Sequence, residues 1–420
     1  MYFKGVAWVI QKVRERPLLF FALLHAILFL AYFAILDYRV GNAGVPRQFA
    51  VKILDGQLPY SDFVCEYPPL ALLSFLLPAL FSTTQPAYGF LFALEMLLLD
   101  LVVLFIMAKF AARFKMRVWR FLSIYTLCLL AIGPIVTGRY DLLPATLVLV
   151  ALYAFISGRH KTAWAVLALG ATAKIYPVII APLFALYLLH HRQYRQLVQG
   201  IAIFGAILLA INLPWIIINA DGFWQFISYH LERGLHSESS YGSVLLVGQI
   251  MGLTHVEGAM TYGSWNLSSP MADTLSQVSS YITASLLMFL YALYAHQLLR
   301  KSDSVAKAAM LNTGAVELML RYSLLAVFIM LLTSKLFSPQ FLIWLCPLIP
   351  LVRARWRYVP WVLFLVIGGL TQYIYPYHYL EFESGTSYLI VMLAIRNFLL
   401  VVMAILYLLP TRSLSANGEG

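Results

Sequence analysis

A chain of 420 residues with 62% hydrophobic residues, 11% charged residues and a mean hydropathy of +0.82 has too little polar surface to coat a water-soluble globule. Its formal charge of +11 is dispersed among loops instead of forming one stripe, which argues against a nucleic-acid partner and for lipid as the solvent. Cys65, Cys128 and Cys346 are too few and too scattered for a disulfide framework or a zinc site, so no metal is expected.

The first element is predicted over Leu18 to Leu36, which carries one strongly polar side chain, His25, and no formal charge. At ~1.5 Å per residue it nearly crosses a hydrocarbon core of ~30 Å. Lys4, Lys12, Arg14 and Arg16 precede it as in a secretory signal, but no small-residue cleavage site closes it, so it reads as a retained first helix. The segment from Tyr67-Pro68-Pro69 to Phe81 is apolar for only about a dozen residues and is expected to be a re-entrant or interfacial helix. Further apolar stretches lie near 86–108, 120–137, 141–157, 162–190, 197–218, 276–299, 318–333, 341–352, 358–374 and 388–409. The 162–190 stretch is interrupted by Lys174-Ile175-Tyr176-Pro177; proline removes a helix donor and clashes with the preceding turn, so two short helices should meet at Lys174. Irregular backbone at that depth needs protein or a wet cavity around it, which marks the break as a candidate site. The expected architecture is all-α: a polytopic transmembrane helical bundle of about twelve crossings, one domain over 1–412, with a disordered tail at 413–420.

Charge placement gives an orientation. Basic clusters at 4–16, 109–120, 159–161, 192–195, 300–321 and 353–357 mark cytoplasmic loops, and both termini, by the positive-inside rule. The opposite loops hold twelve of the eighteen acids. The first of these outer loops, Asp37 to Glu66, is long enough to imply a function. It contains Asp37, Asp55, Asp62 and Glu66; solvated loop charge is the plain alternative for each, and Asp55 beside Gly56-Gln57-Leu58-Pro59 fits that alternative best.

A second outer loop, roughly 220–275, holds Tyr229-His230, Arg233, His236 and Glu238. Arginine and histidine in one short segment can bind a phosphate; the alternative is a water-facing turn with internal pairs such as Glu232 with Arg233. A metal role for the two histidines and Glu238 lacks a third spaced ligand. Arg139-Tyr140-Asp141, Lys174 and Ser334-Lys335 with Gln340 lie where apolar helices join, and charges so close to hydrocarbon tend to face a bundle interior. Mutual neutralisation of Arg139 by Asp141 is the bland reading there. Arg396 has the same status, with snorkelling as its alternative. Glu95 and Asp100 lie mid-helix and read as structural, and His25 as a hydrogen-bonded core histidine.

In order, Asp37, Gly56 to Tyr60, Asp62-Phe63, Glu66-Tyr67-Pro68-Pro69, Arg139-Tyr140-Asp141, Lys174-Ile175-Tyr176-Pro177, Tyr229-His230, Arg233-Gly234-Leu235, Glu238-Ser239, Ser334-Lys335, Ser338-Pro339-Gln340-Phe341, Thr371-Gln372, Tyr375-Pro376 and Arg396-Asn397 resemble glycosyltransferase family 87. That family is a branch of the glycosyltransferase C superfamily that includes polyprenyl-phosphate-mannose-dependent mannosyltransferases. The resemblance implies an inverting hexosyltransferase, mannose favoured, that uses a polyprenyl-phosphate sugar donor and a glycolipid or glycan acceptor on the extracytoplasmic side of the cell membrane. It implies no cofactor, since a monophosphate leaving group does not demand a divalent metal. An acidic residue of the first outer loop is the catalytic base in that superfamily, and Asp37 holds the matching position. Tyr38-Arg39-Val40-Gly41 departs from the family's spacing, which leaves Asp62 or Glu66 as a substitute base. Arg139, Asp141, Lys174, Tyr176, His230, Arg233, His236, Glu238, Lys335 and Gln340 would bind donor phosphate or substrate. A secondary transporter or flippase would account for broken helices and intramembrane charge, but predicts mid-depth polar groups and an inverted repeat. A membrane O-acyltransferase would want a histidine deep in the bundle, where only His25 stands early in the chain.

Overall fold

The computed structural model describes residues 15–35, 43–302, 313–356 and 358–409. Asp37 and the tail at 413–420 lie outside the described residues. Among the described residues, seven helices are long and apolar enough to cross a membrane: Pro17–Ile35, Gln85–Arg113, Tyr194–Ile218, the window Pro270–Arg300, Gly314–Thr333, Val359–Tyr377 and Ser387–Leu408. Shorter apolar helices complete the bundle, among them Val118–Ile132, Leu142–Ile156 and Pro69–Ala79. The last is eleven residues long, begins with Pro69 in its first turn, where the missing N–H costs nothing, and is too short to cross, as expected of an interfacial element.

The lipid-facing and protein-facing surfaces separate cleanly. In Gln85–Arg113 the residues Tyr88, Phe92, Met96, Asp100, Val103 and Met107 are buried, while Phe90, Leu94, Leu98, Val102 and Phe105 are exposed, which is the helical period of a bundle member with lipid on one side. Tyr194–Ile218 goes further: only Gly200 is fully buried, with no room for a Cβ beside the Trp164 indole, Leu197, Phe204 and Trp215 pack partly on the core, and Val198, Ile201, Leu209 and Ile217 are exposed.

The break predicted at Lys174 is present. Helix His160–Ala173 ends, Lys174 is extended (φ −160°, ψ 145°), and the chain resumes as a 3₁₀ turn, Tyr176–Ile180, leading into helix Ala181–His190. The 341–352 stretch is also not a continuous helix; it folds as 3₁₀ turns, Pro339–Trp344 and Ile349–Leu351, separated by further turns. Pro339, Pro347 and Pro350 explain this, since each removes a backbone donor that an α-helix would need. One element was not anticipated. A small antiparallel sheet forms from β1 (Leu235–His236), before helix Ser240–Ile250, and β2 (Glu257–Thr261) and β3 (Ser264–Ser268), between that helix and Pro270–Ser302, in the order β1-β3-β2.

Candidate functional site

The centre of the site is built from two helix ends. Asp141 stands at the start of Leu142–Ile156 and is 1% exposed; Lys174 stands at the end of His160–Ala173. Lys174 Nζ donates to Asp141 Oδ1 at 2.6 Å, and Trp344 Nε1 donates to the same oxygen at 2.8 Å. The ammonium also lies over the rings of Tyr140, Phe341 and Trp344 at 4.9, 4.5 and 5.1 Å, an aromatic box that suits a cation. Tyr176 stacks on Trp344 at 4.0 Å with an 8° interplanar angle, and its buried hydroxyl has no partner among the described residues. The extended residue at the break therefore aims the lysine at Asp141 instead of along a helix. Arg139 does not pair with Asp141; its Nη2 donates to the Tyr375 hydroxyl at 2.5 Å.

The loop that ends at Glu66 closes one side. Tyr60 is buried with a φ of +64°, donates its hydroxyl to the Tyr67 carbonyl at 2.5 Å, and packs edge-on against Trp215, Phe223 and Phe226. Its carbonyl lies so close to Gly222 that a Cβ there would collide with it, which ties the loop to helix Ala220–Glu232. Glu66 then sits at the junction: its carboxylate lies beside the Tyr67 and Tyr229 side chains, and its carbonyl is 2.9 Å from His230 Nε2. Asp62 is not brought in. It is exposed, and its Oδ2 accepts from the Leu58 N–H at 2.7 Å to close a local turn.

The segment at roughly 220–275 supplies cations and a rigid frame. Arg233 follows the end of Ala220–Glu232 and interacts electrostatically with Glu66, Tyr229 and Lys174. Burial, opposed by Tyr229 and Glu66, moves its guanidinium below the usual range, yet arginine stays cationic. No Glu232–Arg233 ion pair is present among the described residues. Lys335 donates to the Leu231 carbonyl at 2.7 Å, and burial together with nearby Arg233 lowers its pKa. Burial likewise lowers the His230 imidazole.

His236 is 2% exposed; burial, then Arg233, then Arg396 hold its imidazole down to about 3 despite a bond to the Phe337 backbone, so it is neutral near pH 7. Glu238 is buried too, and burial lifts its carboxyl to about 7 against the pull of Arg396. Arg396 does not snorkel. It is 0% exposed, reaches Glu238 Oε2 at 3.3 Å and the Glu238 carbonyl at 2.8 Å, and lies over the Phe337 ring at 4.5 Å. Beside it Asn397 Nδ2 donates to Ser243 Oγ at 3.0 Å and to the Glu238 and Ser239 carbonyls at 3.3 Å each. These two residues of the last helix grip the turn after β1.

The fold thus gathers Glu66, Arg139, Asp141, Lys174, Tyr176, His230, Arg233, His236, Glu238 and Lys335 at adjoining helix ends. Gln340 lies half-buried in the 3₁₀ turn that carries Phe341 and Trp344. Trp344 was missed by sequence reasoning because it stands in an apolar run where a tryptophan reads as lipid packing. The alternation of proline and aromatic residues over 339–350 was the available signal.

A multi-pass helical membrane protein with a cation-rich cluster at its helix ends is the class this architecture defines. Residues 63–334, well over half of the chain, match glycosyltransferase family 87; the chain belongs to that family and is a membrane glycosyltransferase. Among solved structures, ArnT from Cupriavidus metallidurans in the apo state is similar at a TM-score of 0.47 and 13% identity, with 96% of this chain and 78% of that chain covered. No curated protein matches significantly.

Proposed function

We propose that the protein transfers a hexose, mannose by the family's precedent, from a polyprenyl-phosphate donor to a lipid or glycan acceptor on the extracytoplasmic face, with both termini cytoplasmic. The observation that carries this reading is the convergence of Lys174, Arg233 and Lys335 beside Glu66 and Asp141, cations and acids meeting where helices end at one cluster. In a direct displacement, a carboxylate takes the acceptor hydroxyl proton and the acceptor oxygen bonds to the anomeric carbon. The bond from that carbon to the phosphate oxygen breaks, its electron pair going to the leaving lipid phosphate. The growing negative charge is where fixed cations act most. Arg233 and Lys335 would hold the phosphate, and Lys174, already tied to Asp141, would complete the field. His230 and His236, both disfavoured as cations, would serve as neutral hydrogen-bonding groups. We expect no divalent metal to be required, and retained transfer in excess chelator is the outcome that fits.

The base is assigned to Asp37 by the family's pattern, with Glu66 orienting the acceptor. The test is transfer of labelled mannose from a polyprenyl-phosphate donor by purified variants. Asp37→Asn should lose at least ~10²-fold, the lower range for general-base assistance, with donor binding kept. Glu66→Gln should lose less, and Asp62→Asn least, because Asp62 faces solvent. Full activity in Asp37→Asn with a dead Glu66→Gln would move the base to Glu66; activity surviving all three would remove the carboxylate mechanism.

A further inference from the structure

The β2–β3 hairpin is a small β structure on a helical membrane protein, with β2 exposed and β3 largely buried, and the backbone of its tip is unusual. Thr261 pairs with Ser264, so Tyr262 and Gly263 form a two-residue loop, with φ values of +49° and +66°. Two positive φ values are the pattern of a turn that favours Asn-Gly or Asp-Gly, and a bulky aromatic in the left-handed region is an outlier. Such an outlier points from structure to function. The tip is also held firmly: Asn266 Nδ2 donates to the Thr261 carbonyl and hydroxyl at 2.7 and 2.8 Å, and the Ser237 N–H donates to the Trp265 carbonyl at 3.0 Å. The hairpin is thereby pinned to the turn that Arg396 and Asn397 grip.

What the tip presents is specific. Tyr262 is 37% exposed, and its ring stands edge-to-face with that of Tyr229 at 5.1 Å. The Tyr229 hydroxyl and the Glu66 carboxylate both lie near the turn at Gly263. A methyl group at Gly263 would lie 3.4 Å from the Tyr229 hydroxyl and 3.8 Å from Glu66 Oε2, so the turn abuts the acid directly. A partly exposed tyrosine at a turn that abuts a carboxylate matches a ring that has C–H groups on its faces and hydroxyls around its rim. The carboxylate disfavours an anionic ligand and accepts from hydroxyls.

We propose that Tyr262, backed by Tyr229 and flanked by Glu66, is the acceptor subsite, and that it takes a neutral pyranose ring. This rests on the transferase reading and names its acceptor as a carbohydrate. The hydroxyl to be glycosylated would come from that ring or from a sugar joined to it.

The experiment uses the full chain in nanodiscs and a fluorescently tagged mannobiose, with tagged maltose and the bare tag as controls. Binding of a tagged disaccharide is measured without donor, and the acceptor KM with donor. The decisive variant is Tyr262→Asn, which suits the turn better than tyrosine and so does not threaten the hairpin, but removes the ring. Loss of one aromatic contact is worth up to about tenfold in affinity, so binding should weaken and acceptor KM should rise by about that factor, with donor KM unchanged. Mannobiose carried on a long alkyl chain, run beside the soluble form, distinguishes a glycolipid headgroup from a free glycan, and Tyr262→Asn should weaken whichever is bound. A Tyr262→Asn variant that binds and transfers like the unaltered protein overturns the subsite, as does an unaltered protein that binds neither disaccharide in either form. Weakened donor-free binding in a protein that never uses a polyprenyl-phosphate sugar would leave the subsite standing and sink the donor assignment instead.

Discussion

Two polar clusters lie among the helices, and they are completed differently. In the first, His25 Nδ1 is 2.7 Å from Asp100 Oδ2, His25 Nε2 is 2.8 Å from Thr126 Oγ1, and the Tyr125 hydroxyl donates to Asp100 Oδ1 at 2.6 Å. His25, Asp100, Tyr125 and Thr126 are all buried, and their polar atoms satisfy one another. In the second, Lys174 and Trp344 converge on a single oxygen of Asp141, while Tyr176 Oη, Arg233 Nε and His236 Nδ1 are buried with no partner among the described residues. Unpaired buried polar atoms occur elsewhere in the bundle too, at Trp164 Nε1, Tyr294 Oη and Tyr407 Oη among others, so what distinguishes the second cluster is that its unpaired atoms lie among the cations Lys174 and Arg233. A closed network holds helices together; the second leaves polar atoms and cations side by side. The same contrast argues against an O-acyltransferase built on His25, whose two ring nitrogens are already engaged.

The contrast can be broken at the frame first. Arg396→Ala should be the most destabilising change, about 3–5 kcal/mol, because it strands the buried Glu238 and frees the turn after β1. Thermal unfolding in detergent reads it, and a shift no larger than that of a surface variant would show that the pair is not part of the frame. Next, Asp100→Asn should cost about 1–3 kcal/mol, since it weakens the bonds to His25 and Tyr125 without making a cavity. Its transfer activity per folded molecule should stay near that of the unaltered protein. Loss of turnover in a fully folded Asp100→Asn would move the chemistry into the bundle.

Acid should give the smallest effect. His236 is depressed from its usual value to about 3, so its contribution is fully present above about 6.5 and is lost as pH falls toward 3. Glu238 is raised to about 7, so its contribution is present below its ordinary value near 4.5 and is lost as pH rises through 7. Between about 6.5 and 4.5 the two oppose each other and stability should be nearly flat. Below 4.5 only the histidine still titrates, and stability should fall by at most about 1.4 kcal/mol per pH unit. Melting temperature against pH measures this. His236→Gln should remove the fall, and Glu238→Gln should extend it upward to 6.5; a slope unchanged in both variants would assign it to other groups.

Much of the fold could be read from the chain because lipid leaves few alternatives. The long apolar runs, the short 69–79 helix and the break at Lys174 follow from length and proline placement alone. The structural reading of His25 and Asp100 also held, since a charge in mid-helix has to find a partner. What could not be read was which of the helix-end charges pair. Arg139 and Asp141 are two residues apart, yet one turns to Tyr375 and the other to Lys174, because the backbone between them changes from extended to helical. Asp62 and Glu66 look alike in the sequence; a local turn retains the first, and two tyrosines flank the second. The hairpin escaped notice because its strands are only five residues long and Glu257–Thr261, fully exposed, has no burial alternation to betray it.

The central claim, that the second cluster receives a lipid phosphate, is tested most directly by equilibrium binding of polyprenyl phosphate itself. Full-length protein in nanodiscs would be compared with Arg233→Ala, Lys335→Ala and, as the control from the closed cluster, Asp100→Asn. A hydrogen bond to a charged group is worth about 1.5–3 kcal/mol, so Arg233→Ala should weaken binding by roughly 10- to 100-fold, with a smaller loss for Lys335→Ala. Asp100→Asn, matched for folded fraction, should bind within about twofold of the unaltered protein, inside the scatter of distant substitutions. Unchanged affinity in both cation variants, or an equal loss in folded Asp100→Asn, would contradict the account.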